Sequence, residues 1–208
     1  MKESVRETLG GLWFVPRPTF RKLLDQPDPP WLPLLAACWG VERNLSAQLK
    51  AAIPDVGWID VLLLVVGNVV SGALLGWSMW YFTAWVTARL ASLLGHPTEA
   101  RSVRLAMAWG TVPKAAAVVV LLAFIALVGP DFFMLDQRGL MTAHLWSLPA
   151  VFLPWLLSSL LYMYWVTVGV SEVSGMSILK TIPVLVLSAV PIVAVVAAIA
   201  VGMATLQA

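Results

Sequence analysis

Glu42 and Arg43 stand side by side, followed by Asn44, inside a stretch that is otherwise apolar. Ionised groups near the middle of a bilayer are costly unless paired or wet, so they mark a working site by default. The chemistry open to them is passage of an ion or small solute along a polar path. Lys114, entering the apolar run 115–128, and Asn68, within the apolar run 61–70, would extend that path. The other role is structural: Glu42 and Arg43 pair with groups on other helices, for example Asn68 or Ser71, and fix the fold. Neighbours in sequence point about 100° apart around a helix, so the two contact different partners rather than each other.

Other chemistry finds little to work with. His96 and His144 have no Cys, Asp or Glu at metal-ligand spacing, so no metal is expected. An intramembrane protease would need a nucleophile with a partnered base, or paired zinc ligands, and neither pattern is present. No phosphate-cradling loop appears, so the chain reads as a non-enzyme without a cofactor. Cys38 is the single cysteine, which excludes an intramolecular disulfide. The net charge of +2, without a basic tract, gives no reason to expect a nucleic-acid partner.

The elements that position these residues follow from composition. Of 208 residues, 60% are hydrophobic and 12% charged, against about 25% charged in a soluble domain. Runs 61–70 and 182–201 lack any ionised side chain. In lipid every backbone amide must be satisfied internally, and these runs are apolar on all faces, so the spans are helices rather than barrel strands. The expected fold is all-α: a polytopic transmembrane bundle of about five spans, behind short N-terminal interfacial amphipathic helices. The boundaries read as 1–30 for the interfacial segment and 31–208 for the transmembrane domain, with spans at about 31–52, 58–94, 100–128, 147–170 and 178–203.

Residues 4–15 suggest a short helix with Val5, Leu9, Leu12 and Trp13 on one face. A second starts from Thr19 as N-cap, with Phe20, Leu23 and Leu24 opposite Arg21 and Lys22. Such basic amphipathic segments lie in the membrane interface or pack against the bundle. Pro16, Arg17 and Pro18 interrupt the start, so no cleavable signal peptide is expected. The first span is irregular because it carries Glu42, Arg43 and Asn44. The second is too long for a perpendicular crossing and is tilted, extended or bent near Gly67 and Gly72. Gly95 suits the position after its end, and Thr98 with Glu99 reads as the next cap and first turn. The third span starts amphipathic, with Arg101 and Arg104, and turns apolar only beyond Pro113 and Lys114. Residues 129–146 read as a polar loop, and 171–177 as a short link.

Gly72 and Gly76 form a small-xxx-small pair, and Gly67 and Ser71 repeat the four-residue spacing, which lets two helix backbones approach closely. Packing within the chain is the expected use; a dimer face is the other. Trp77, Trp80, Tyr81 and Trp85 form an aromatic stripe, expected to pack or anchor rather than hold a ligand. With the N-terminus inside, inner segments hold ten Lys and Arg, among them the interfacial basic residues Arg17, Arg21, Lys22, Arg101 and Arg104. Outer segments hold Arg43, Lys50 and Arg138. The imbalance places the N-terminus in the cytoplasm and the C-terminus outside.

Several short motifs occur in a familiar order. Pro16-Arg17-Pro18-Thr19-Phe20 precedes Gly40-Val41-Glu42-Arg43-Asn44-Leu45. Then come Leu94-Gly95, Ala108-Trp109-Gly110-Thr111-Val112-Pro113, Val168-Gly169-Val170-Ser171-Glu172, and Met176-Ser177 with Lys180. This order resembles bacterial members of the Yip domain family, relatives of Ypt/Rab-interacting membrane proteins. His96-Pro97 departs from a second glycine common there. The resemblance implies five transmembrane helices with a cytoplasmic N-terminus, in the bacterial inner membrane for a bacterial-type member. Eukaryotic relatives bind small GTPases and take part in vesicle traffic.

The leading expectation is a non-enzymatic membrane scaffold or accessory protein that binds lipids, a partner membrane protein or a second copy of itself. The alternative is a small transporter or channel-like protein with its polar path around Glu42, Arg43 and Lys114.

Overall fold

In a computed structural model of the chain, residues 5–25, 29–48, 52–135, 139–140, 142 and 152–191 are described. The helices are α1 (Val5–Phe14), α2 (Pro16–Leu24), α3 (Leu32–Ala47), α4 (Trp58–Leu93), α5 (Ala100–Gly110), α6 (Val112–Val128), α7 (Asp131–Met134), α8 (Leu153–Ser174) and α9 (Ile178–Pro191). No strand occurs among the described residues.

Among the described residues, three stretches are long and apolar enough to cross a membrane: Trp58–Leu93, Ala100–Val128 and Leu153–Ser174. The first is continuous for 36 residues, through Gly67 and Gly72, or about 54 Å of helix against a hydrocarbon core of about 30 Å. The helix is unbroken at both glycines. α3 is shorter than the 31–52 expected: its 16 residues rise only about 24 Å. Residues 49–51, the start of the fourth expected span at 147–151, and the end of the fifth at 192–203 lie outside the described residues, as does His144.

Local chemistry moves several boundaries. α2 starts at Pro16, not Thr19, because a proline in the first helical turn gives up no needed N–H. Thr19 therefore lies inside the helix, where its hydroxyl donates to the Val15 carbonyl at 3.0 Å. Leu12 is fully buried while Trp13 is exposed, so the two do not share a face; the side chains of Val5 and Leu9 lie outside the described residues. Gly95 ends α4 as expected, with φ +84°. His96 N–H donates to Ala91 O, and Gly95 N–H to Ser92 O, which is a Schellman closure. Thr98 is not the next cap: its hydroxyl donates to His96 O, and the Glu99 carbonyl accepts the first bond of α5.

The third span is two helices. Pro113 has no N–H for the Trp109 carbonyl, so the α-helix breaks at Thr111 and restarts at Val112. Residues 171–174, expected in a link, continue α8 to Ser174, and the turn falls on Gly175 at φ +65°. The loop expected at 129–146 contains α7, whose Phe132 and Phe133 are fully buried.

By compactness the described residues divide into two units. One takes those within Met1–Pro27, Met79–Met107 and Thr167–Ala208; the other takes those within Asp28–Ser78 and Ala108–Val166. In the first, Phe20 of α2 lies against Gly169 of α8, where a Cβ would come within 2.9 Å of the ring. In the second, Val41, Leu45, Leu121, Phe124, Phe132 and Phe133 share one core. Phe132 meets Phe124 at 6.1 Å and Phe133 at 5.0 Å, both edge to face.

Candidate functional site

The polar residues singled out from the sequence separate into distinct groups. Within the second unit, Glu42 of α3 meets Lys114 of α6, Nζ to Oε2 at 3.3 Å, with each side chain 6% exposed. Lys114 also donates to Ser159 Oγ of α8 at 2.8 Å, and its ammonium lies 6.0 Å from the Trp155 ring centre. Lys114 is fourteen residues from either end of the Ala100–Val128 stretch, about 21 Å along the axis. The site thus lies midway along that stretch, where the apolar run 115–128 begins.

The helix break explains how a lysine is held there. Restarting at Val112 puts Lys114 in the first turn of α6 on the face shared with Ala117 and Leu121, all buried. Thr111 marks the joint, its hydroxyl 2.6 Å from the Ala108 carbonyl and 2.7 Å from the Leu35 carbonyl of α3. The one hydroxyl proton serves either acceptor.

Glu42 Oε1 is buried without a hydrogen-bond partner among the described residues. Beside it lies a cavity of about 10 Å³, lined by Glu42, Ser46, Ala117, Val120, Leu121, Pro154 and Trp155. That is room for about one water molecule.

Arg43 is not part of this cluster. It is exposed, with its guanidinium 5.8 Å from the centre of the Trp39 ring, one turn earlier. Asn44 and Asn68 belong to a second group that joins α3 to α4. Asn44 Nδ2 donates to Ser71 Oγ at 3.0 Å, and Gln48 Nε2 donates to Asn68 Oδ1 at 3.2 Å. Asn68 and Ser71 are therefore the partners of Asn44 and Gln48, not of Glu42 or Arg43.

The same α3–α4 contact uses the glycines. A Cβ on Gly40 would collide with the Gly72 carbonyl, one on Gly72 would lie 2.7 Å from Val41 Cα, and one on Gly76 would lie 2.6 Å from Ala36 O. Trp77 Nε1 extends the contact by donating to Pro33 O at 2.7 Å. Gly67 meets nothing within 4 Å, and Ser71 enters through its hydroxyl rather than its small size. The small-xxx-small motif is thus spent inside the chain, against Gly40.

In the first unit, Arg17 and Arg21 both reach Glu172, at 3.3 and 2.8 Å. Arg104 lies 4.9 Å from the Tyr81 ring centre, while Trp80 donates to the Arg104 carbonyl at 2.7 Å. Lys22 and Arg101 are exposed. Trp80 is buried, whereas Tyr81 and Trp85 face outward with a guanidinium over each ring, so these aromatics staple helices and seat cations.

Ser159, Thr111, Ser46 and Glu172 are the site residues that sequence reasoning missed as such. Adjacent Ser158 and Ser159 within an apolar run were the available signal, since hydroxyls in a membrane helix seek partners. Compared with protein-family models, curated proteins and solved structures, the chain finds no match.

Proposed function

We propose that the chain is a non-enzymatic integral membrane protein of the Yip domain type, acting as a scaffold or accessory protein for membrane proteins and lipids. Its five spans are α3, α4, the α5–α6 stretch, α8 and a fifth that includes α9. It sits in a bacterial inner membrane with the N-terminus in the cytoplasm. Eight described Lys and Arg (Arg6, Arg17, Arg21, Lys22, Arg89, Arg101, Arg104 and Lys180) belong to the unit that holds the N-terminal helices, against Arg43 and Lys114 in the other. That asymmetry supports the orientation. Exposed Trp13, Phe14 and Val15, next to Arg17, support an interfacial seat for α1 and α2 among lipid headgroups.

The observation that carries the reading is the burial and pairing of the charged cluster. Glu42 and Lys114 are buried and paired with each other, beside a cavity with room for about one water. A polar path needs them wet and continuous, and Arg43 stands apart on Trp39. The exposed apolar face of α4, with Ile59, Leu62, Leu63, Val66, Val70 and Leu74, is free for lipid or a partner helix. The glycine motif, already used against α3, is not.

The test is twofold. Photo-cross-linkers placed at Leu63, Val66 and Val70 in native membranes should capture a reproducible membrane-protein partner or a second copy. Purified protein in liposomes should leak no ions beyond empty vesicles. A strictly monomeric chain with no cross-link defeats the scaffold reading; flux abolished by Glu42→Gln in a folded protein establishes the transporter instead.

A further inference from the structure

The two carboxylate oxygens of Glu42 have different surroundings. Oε2 faces the Lys114 ammonium, whereas Oε1 is buried without a hydrogen-bond partner among the described residues. Glu42 as a whole is 4% exposed. A buried acceptor left unsatisfied costs its full desolvation with nothing in return, and an ionised one costs more than a neutral one.

Beside Glu42 lies the cavity walled by Ser46, Ala117, Leu121, Pro154 and Trp155. Ser46 follows Glu42 by one helical turn, so its hydroxyl and the Glu42 carboxylate line the same space. The volume of about 10 Å³ matches a single water, and a water needs two or more polar partners to stay. Lys114, 3.3 Å from the carboxylate, repels any cation that would enter, and the carboxylate repels any anion.

We propose that this cavity is a binding site for one water molecule, which donates to Glu42 Oε1 and shares a hydrogen bond with Ser46. The water completes the hydrogen bonding of the ion pair, held by two groups of α3 against a wall that Pro154 and Trp155 form in the first turn of α8.

Water-edited solid-state NMR on the full chain in lipid bilayers, labelled with carbon-13 glutamate, tests the site. Magnetisation should pass from water to the Glu42 carboxyl carbon as it does to exposed Glu99, the signal being assigned by its loss in Glu42→Gln. Ala117→Val fills the cavity and should abolish transfer to Glu42 while leaving Glu99 unchanged. Val119→Leu, on the exposed side of α6, should leave both. If Ala117→Val does not fold, Ser46→Ala removes the second partner and should weaken the transfer. A native chain that transfers to Glu99 but not to Glu42 overturns the proposal, as does a folded Ala117→Val, or a folded Ser46→Ala, that leaves Glu42 unchanged.

Discussion

Lys114→Met strands Glu42 in an apolar surrounding, and the size of the effect follows from the geometry. At 3.3 Å two unit charges attract by about 5 kcal/mol at an effective dielectric constant near 20. Burying each ion costs several kcal/mol, so the intact pair adds little net stability. Losing one member leaves the desolvation of the other unanswered, which costs about 3–5 kcal/mol. For a chain of this size, each kcal/mol moves the unfolding midpoint by about 2–4 °C. Lys114→Met and Glu42→Leu should each lower the midpoint by about 6–20 °C. The double variant Glu42→Leu/Lys114→Met should return close to the native value, because no unpaired charge remains. Cys38, the single cysteine, is partly buried in α3, so a thiol-reactive fluorogenic dye in detergent reports release of that helix directly. Single variants within about 2 °C of native, or a double variant that falls by the sum of the singles, would refute the pairing.

Gly40→Val should destabilise by at least about 1–3 kcal/mol in the same assay, since the added Cβ meets the Gly72 carbonyl backbone. Gly67→Ala, which meets nothing, should be neutral or stabilising by up to about 1 kcal/mol. Glu172→Gln should speed amide exchange across α2 without changing exchange in α4, and high salt should have the same effect on the native chain, because both arginines are largely exposed. Gly95→Ala, which forces a Cβ into φ +84°, should cost about 1 kcal/mol and fray the last turn of α4, seen as faster exchange at Leu94 and Gly95.

Helical class, the long apolar stretches and the glycine at position 95 were legible because each is a local property of the chain. The division of the polar residues was not. Glu42 and Arg43 are adjacent in sequence, yet one faces Lys114 and the other Trp39, and only the packing of α3 decides which face is inward. Gly72 and Gly76 could be read as a close-approach motif, but their partner Gly40 belongs to a helix whose polar residues drew attention first. The break at Thr111 was within reach of a stricter reading of Pro113. α7 was hidden because two phenylalanines sit among turn residues in a stretch that looks polar.

The separation of Glu42 and Lys114 along the chain has a consequence for biosynthesis. α3 is about 24 Å long and carries Glu42 and Arg43, each adding about 2.5–3.5 kcal/mol to insertion when near a helix centre. By itself it is a poor insertion substrate, whereas α4, emerging directly after it, is a strong one and holds the glycines that receive it. On the five-span reading proposed above, the two enter as a hairpin. Lys114 follows Glu42 by 72 residues, about 4–14 s of translation at typical rates. For that interval the acid stands in a half-built bundle without its base, and the nascent chain is then most open to chaperones and membrane proteases.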